Sequence, residues 1–270
     1  VTIQEFDRVR LEIDGGVAKL VMNDQAVMNA VGGEMLSGLM AALTVIESKN
    51  SGVRAVVWTG EGRGFCTGAN LAGGGSSSSN VAPEDRDAGA VLETSFHPFL
   101  RRVRNLKVPL ITAVNGPAAG VGMSFALMGD MILAAKSAFF LQAFRRIGLV
   151  PDGGSTWLLP RLVGLARAKE LSLMGERLPA EKALEWGLIN RVYDDAELMP
   201  EAMKLGHELA AGPTVSLSNI RNLYNRSFDR TYEEQLDAER WAQQTAGRSA
   251  DFGEGVAAFL QKRPAQFKGE

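Results

Sequence analysis

Cysteine and histidine are scarce: 270 residues hold one cysteine, Cys66, and two histidines, His97 and His207. A lone thiol excludes an internal disulfide and a cysteine-based metal cluster, and two histidines argue against a multi-histidine centre. Net charge is also lacking. Twenty-nine Lys+Arg against 31 Asp+Glu give −2, with both signs scattered, so no basic face awaits a nucleic acid or an anionic membrane. The longest uncharged run, residues 108–129, is broken by Pro109, Asn115, Gly116, Pro117, Gly120 and Gly122. It therefore reads as buried strand, tight turn and buried helix rather than a membrane span. The opening VTIQEFDRVR has early acidic residues and no apolar h-region, so no targeting peptide and a cytoplasmic location are expected.

What remains is an ordinary globular composition, 46% hydrophobic and 22% charged, sufficient for one large domain or two small ones. VRLEID and VAKLVM (residues 9–14 and 17–22) alternate around Gly15 and Gly16, the pattern of a hairpin. Residues 35–49 carry apolar side chains at helical spacing, and VRAVVWT, LITAV and MILAA (residues 53–59, 110–114 and 131–135) read as buried strands. A helix through residues 125–128 separates the last two. The alternation predicts an α/β chain with a largely parallel sheet. From residue 166 strand signals mostly vanish, and helical periodicity recurs over 166–174, 180–186, 198–211, 214–226, 232–245 and 251–261. The division expected is an α/β core over 1–195 and a helical segment over 196–270 that serves oligomerisation. GGGSSSSN (residues 73–80) has too few apolar groups to offset its ordering entropy and is expected to be a mobile loop.

Two glycine-rich turns follow strands: GEGRGFCTGANL (residues 60–71) and NGPAAGVGMSF (residues 115–125). Each is compatible with plain strand-to-helix packing. Each also exposes backbone N–H groups, and two such turns can converge on one developing oxyanion. Neither is a Walker loop, and neither is a full dinucleotide fingerprint.

These turns belong to a longer pattern. GRGFCTGANL, VPLITAVNGPAAGVGMSFALMGDMILAA, FRRIGLVPDGGSTWLLPRLVG, LPAEKALEWGLINRV and GVAAFLQKRPAQFKG occur in this order over most of the chain. They resemble the signature blocks of the crotonase superfamily, the enoyl-CoA hydratase/isomerase family. The resemblance implies a ββα spiral core and an acyl-CoA thioester as substrate. No separate cofactor is implied, because coenzyme A is part of the substrate, and a homo-oligomer, trimer or dimer of trimers, is expected. The implied oxyanion donors match the N–H groups of Ala69 and Val121, the latter where the family usually has glycine. Val27, Ala30, Cys66, Gly68, Asn70, Leu71, Gly120, Ser124, Phe144 and Lys262 match the acyl-CoA-binding surroundings. Lys262 would meet CoA phosphates, although a solvated helix end fits it equally well.

The acids depart from the hydratase pattern. Where family hydratases carry two glutamates, this chain has Ser124 and Phe144, so two-glutamate hydration is not expected. Asp152 instead stands where Δ3,Δ2-enoyl-CoA isomerases, a ring-epoxide isomerase and a haloaryl-CoA dehalogenase of the superfamily carry their acid. Its uncharged setting raises the pKa expected for it. The competing reading makes Asp152 a cap for a helix starting near Ser155. The leading expectation is thus an acyl-CoA isomerase working through an enolate. The alternatives are hydration, hydrolysis or decarboxylation on the same scaffold, and a non-catalytic acyl-CoA-binding subunit. Cys66 is expected to be a small buried residue, His97 a surface or capping residue with a place in the acyl-pocket lining as the alternative, and Arg145 and Arg146 a solvated pair or an intersubunit contact.

Overall fold

The computed structural model of the chain describes residues 1–71 and 82–270. The loop expected over residues 73–80 lies outside the described residues. The principal sheet begins with an antiparallel meander, β1 (Thr2–Phe6), β2 (Val9–Asp14) and β3 (Val17–Met22). β2 and β3 form the expected hairpin on Gly15 and Gly16, both at positive φ. Helix α1 (Gly33–Ile46) then crosses to β4 (Ala55–Gly60), which pairs parallel to β3. α1 buries Met35, Leu36, Leu39, Ala42, Leu43 and Ile46 on one face, as its spacing requires.

Helix α2 (His97–Arg104) leads into β5 (Leu110–Val114), followed by β6 (Pro117–Ala119), α3 (Val121–Ala126), β7 (Met131–Ala135) and β8 (Phe139–Leu141). After a 3-10 turn at Ala143–Ile147 come α4 (Ser155–Val163), α5 (Leu165–Met174), β9 (Arg177–Pro179), α6 (Ala180–Glu185) and β10 (Arg191–Tyr193). The order in the principal sheet is β1-β2-β3-β4-β5-β7-β10, parallel from β3 onward, and β6-β8-β9 form a small second sheet. β4 and β5 are buried along their whole length. That is why they read as continuous apolar runs rather than alternations.

Some elements leave no trace in the sequence. β9 and β10 follow residue 166, where strand signals mostly vanish, and lie within the α/β core expected over 1–195; at three residues each they are too short to display a period. Helix α2 also had no expected counterpart.

Four helices close the chain: α7 (Leu198–Ala210), α8 (Thr214–Ser227), α9 (Tyr232–Gly247) and α10 (Ala250–Gln261). α7 packs on the sheet against β3, β4, β5 and β7. α8 is pinned to the core by Arg221, only 7% exposed. Its guanidinium donates to the carbonyls of Val103, Arg104 and Leu106 beyond and within α2, and to the Asp130 carboxylate at 2.7 Å. That carboxylate also accepts from the Leu110 N–H at 2.8 Å. α9 buries none of its residues. Leu236, Trp241, Phe252 and Phe259 are 42%, 58%, 57% and 83% exposed, so α9 and α10 carry large apolar groups that the protomer leaves uncovered.

Candidate active site

The parallel strands deliver the two glycine-rich turns to one end of the sheet, and short-range bonds lock them together. Beyond β5, the Asn115 amide donates to the Gly62 carbonyl at 2.9 Å. Cys66 and Ala118 form a one-residue parallel bridge: the Cys66 N–H donates to Pro117 at 3.0 Å, and the Ala119 N–H donates to Cys66 at 2.9 Å. A Cβ on Gly122 would lie 2.2 Å from the Cys66 carbonyl oxygen. Only glycine lets the first turn of α3 approach this closely.

Ala69 bridges Val31, with Val31 N–H donating to Gly68 at 2.7 Å and Asn70 N–H donating to Val31 at 2.9 Å. In a parallel ladder these bonds belong to the residues flanking Ala69, so the Ala69 N–H itself faces away from Val31. Val121 opens α3, where the first N–H groups have no partner within the helix. Gly120, its cap, offers no side chain. Among the described residues neither N–H has an acceptor. The backbones of Gly68 and Gly120 lie side by side, a Cβ on Gly120 being 3.8 Å from Gly68 Cα. Val121 does not need the positive φ that would demand glycine. Valine at this position therefore keeps its N–H in place and, among the described residues, unpartnered.

Asp152 lies on the turn before α4. Its backbone carbonyl accepts from Ser124 Oγ at 2.9 Å, Ser155 Oγ at 2.9 Å and the Ser155 N–H at 3.1 Å. α4 does start at Ser155, but its cap is Gly154 and no side chain caps it, so the capping reading of Asp152 is wrong. The Asp152 Oδ1 atom is buried without a hydrogen-bond partner among the described residues. Burial of the carboxyl pushes its pKa up to about 6. Gly153 has φ +62°, and a Cβ there would stand 2.6 Å from Ser124 Cβ and 3.2 Å from Val121 Cγ2, which seats the Asp152 turn directly on the Val121 turn.

The other expected residues sort by contact. Ser124 is wholly buried and its hydroxyl is committed to Asp152, while the Phe144 ring is buried against Gly120. The Cys66 thiol is buried and its pKa is pushed up to about 12 by burial, which removes it as a nucleophile. Val27 and Leu71 are exposed, and Ala30 and Asn70 half-buried, at the mouth of the turns. Thr67 Oγ1 shares its proton between the Val27 and Met28 carbonyls, both at 3.2 Å. Lys262 is exposed at the left-handed end of α10, and no contact among the described residues joins it to this cluster. Arg145 and Arg146 are both exposed, as expected of a solvated pair, but they are not free of the fold. Arg145 donates to the Leu173 and Met174 carbonyls and Arg146 to Gly175 at 2.7 Å, closing the C-terminus of α5.

Sequence reasoning passed over Asn29 and Ser155. Asn29 is fully buried in the left-handed region at φ 57°, accepts from the Asp24 N–H at 2.8 Å and donates to the Glu61 and Gly64 carbonyls at 3.0 and 2.8 Å. It thereby ties residues 24–31 to the first glycine turn. Asparagine is among the few side chains that accept this conformation readily, which was the available signal.

A cavity of about 720 Å³ opens beside Gly153 and Gly154 and is walled by Leu100, Met128, Leu158 and Tyr224. His97 lines it as well. Trp157 in its wall is gripped by the guanidiniums of Arg104 and Arg161, 4.2 and 3.9 Å from the ring centre. Among the described residues no three metal-ligating side chains converge, and no helix is long and apolar enough to cross a membrane.

A sequence model described as enoyl-CoA hydratase/isomerase matches residues 12–270. A relative from Escherichia coli strain K12, 1,2-epoxyphenylacetyl-CoA isomerase, is 44% identical over 258 residues, spanning 96% of this chain and 97% of its own. The 4-chlorobenzoyl coenzyme A dehalogenase-1 of Arthrobacter sp is 30% identical over 254 residues, spanning 94% of this chain and 91% of its own. Among solved structures, an enoyl-CoA hydratase from Polaromonas sp. JS666 superposes with a TM-score of 0.87 at 34% identity, covering 96% of this chain and 99% of that one. An enoyl-CoA hydratase from Bacillus anthracis gives 0.88 at 28% identity, covering 97% and 100%.

Proposed function

The chain belongs to the enoyl-CoA hydratase/isomerase family, and from that premise we propose that it is an acyl-CoA isomerase that shifts a double bond through an enolate. The observation that carries this is a single buried carboxylate, Asp152, with one oxygen unpartnered, seated through Gly153 on the turn that holds the Val121 N–H. A hydroxyl and a ring stand where hydration needs its two acids. The 44% identical relative named 1,2-epoxyphenylacetyl-CoA isomerase supports isomerisation of an acyl-CoA, though on an epoxide rather than a 3-enoyl group.

The Asp152 carboxylate takes a proton from the carbon α to the thioester of a 3-enoyl-CoA. The electron pair moves onto the carbonyl oxygen, giving a dienolate whose charge is held by the N–H groups of Ala69 and Val121. The protonated Asp152 then returns the proton to the γ carbon, the carbonyl re-forms, and the product is the 2-enoyl-CoA. Acid and substrate both end with the hydrogens they started with, so one carboxyl suffices. Val27 and Ala30, zipped to the Ala69 turn, border the pantetheine arm. The acyl group, straight or ring-bearing, extends toward the cavity beside Gly153 and Gly154, whose volume of about 720 Å³ lies in the range of small-molecule sites.

Because Asp152 must be ionised to act as the base, and its pKa is raised to about 6 by burial, kcat/KM should climb tenfold per pH unit below about 6 and level off above it. A pH–rate profile of isomerisation checks this; a rate flat from pH 5 to 8 would contradict it. For assembly we propose a trimer or a dimer of trimers, supported by the exposed Trp241, Phe252 and Phe259. Light scattering should give three or six times 29.0 kDa, and a lone 29.0 kDa species at micromolar concentration would refute it.

A further inference from the structure

We infer that Ser124 and Ser155 are positioning residues whose hydroxyls clamp the main chain of Asp152 and hold its carboxyl in register with the Val121 donor. This rests on the proton-shuttle reading above and adds two residues to it.

Both serines are wholly buried, yet both hydroxyls donate to one acceptor, the Asp152 carbonyl, at 2.9 Å. The same oxygen already receives the Ser155 N–H at 3.1 Å, a bond that by itself closes the turn into α4. A carbonyl oxygen has two lone pairs, so three donors exceed what the turn requires. One of them crosses from α3, 28 residues earlier in the chain.

Ser124 joins the two parts of the reaction. Its N–H donates to the Gly120 carbonyl at 3.2 Å, within the turn that presents the Val121 N–H, while its hydroxyl grips Asp152. Gly153 completes the seat, because a Cβ there would overlap Ser124 Cβ at 2.6 Å. The carboxyl itself is left alone, its Oδ1 accepting nothing among the described residues. That division suits a shuttle. Hydrogen bonds to a carboxylate favour its ionised form and weaken it as a base, whereas bonds to the main chain fix its place and leave its basicity intact.

The test uses Ser124→Ala, Ser155→Ala and the double variant. Each removes a donor but leaves the Asp152 carbonyl at least one other, so folding should persist, as checked by thermal melts. Each single variant should lose about 10-fold in kcat and the double about 100-fold, with KM within about twofold, as expected when a reacting group is displaced by a fraction of an ångström. The share of α-hydrogen carried internally to the γ carbon should fall in the same order. The titration of the Asp152 carboxyl, followed by carbon NMR, should move down from about 6 in the double variant, as the freed side chain reaches water. Unchanged kcat, unchanged hydrogen transfer and unchanged titration would overturn the clamp. A loss of kcat that only follows a loss of thermal stability would also overturn it. If the wild type isomerises no acyl-CoA but the titration still moves, the isomerase reading fails and the clamp stands.

Discussion

Asp152→Asn is expected to lower turnover at least about 100-fold, the scale of losing a positioned general base, while leaving acyl-CoA affinity and folding nearly unchanged. Asparagine is almost isosteric and cannot accept a proton at neutral pH. The usual objection to such a variant, that it also uncaps a helix, does not apply, because α4 is capped by Gly154 and the Asp152 side chain caps nothing. The main-chain bonds from Ser124 and Ser155 survive the change. Linkage sets the sign of the stability effect. Burial raises the folded carboxyl to about 6, so its neutral form favours the fold, and that contribution is lost as pH rises through about 6. At neutral pH the wild type carries a partly desolvated charge that the variant lacks. The melting temperature of the Asn variant above pH 7 should therefore equal or exceed that of the wild type. A large drop would mean that Asp152 is structural.

The second large effect is expected at the oxyanion side. Ala69→Pro deletes one N–H donor and should cost about 100- to 1000-fold in kcat, the range for a single lost donor. The bonds joining residues 31 and 68–70 are made by Val31 and Asn70, so proline takes nothing from the ladder itself. Ala69→Ser keeps the donor and should remain close to wild type. Circular dichroism and melting curves on both variants separate loss of the donor from loss of the fold. A well-folded Pro variant with near wild-type activity would remove Ala69 from the site.

Several elements could be read from residue order because they are long and their burial is one-sided or complete. β5 and β7 occupy the expected residues 110–114 and 131–135, and α5 to α10 begin or end within a few residues of their periodic runs. Three-residue strands such as β6 and β9 carry no period, and α2 opens with His97 and Pro98 rather than a polar cap. At the site, the glycine turns are legible from local pattern and the role of Asp152 through a family resemblance, whereas the physical reason for Gly122 appears only with the Cys66 carbonyl lying against it. The bond between Ser124 and Asp152 spans 28 residues, a contact that no local pattern encodes. Arg145 and Arg146 are exposed, as their sequence suggests, and what the sequence does not display is that they also satisfy the last carbonyls of a helix almost 30 residues later.

A non-catalytic acyl-CoA binder and an isomerase share the fold, the turns and the cavity, and they differ in whether Asp152 moves a proton. Incubating a 3-enoyl-CoA with the protein in deuterated water and following label at the α and γ carbons by NMR addresses that difference directly. The wild type should accumulate the 2-enoyl product, with deuterium at these positions to the extent that the protonated Asp152 exchanges with solvent before it returns its proton, and Asp152→Asn should give neither product nor label. Equal product formation and label uptake by both proteins would take Asp152 out of the mechanism, and neither product nor label from either would leave an acyl-CoA binder.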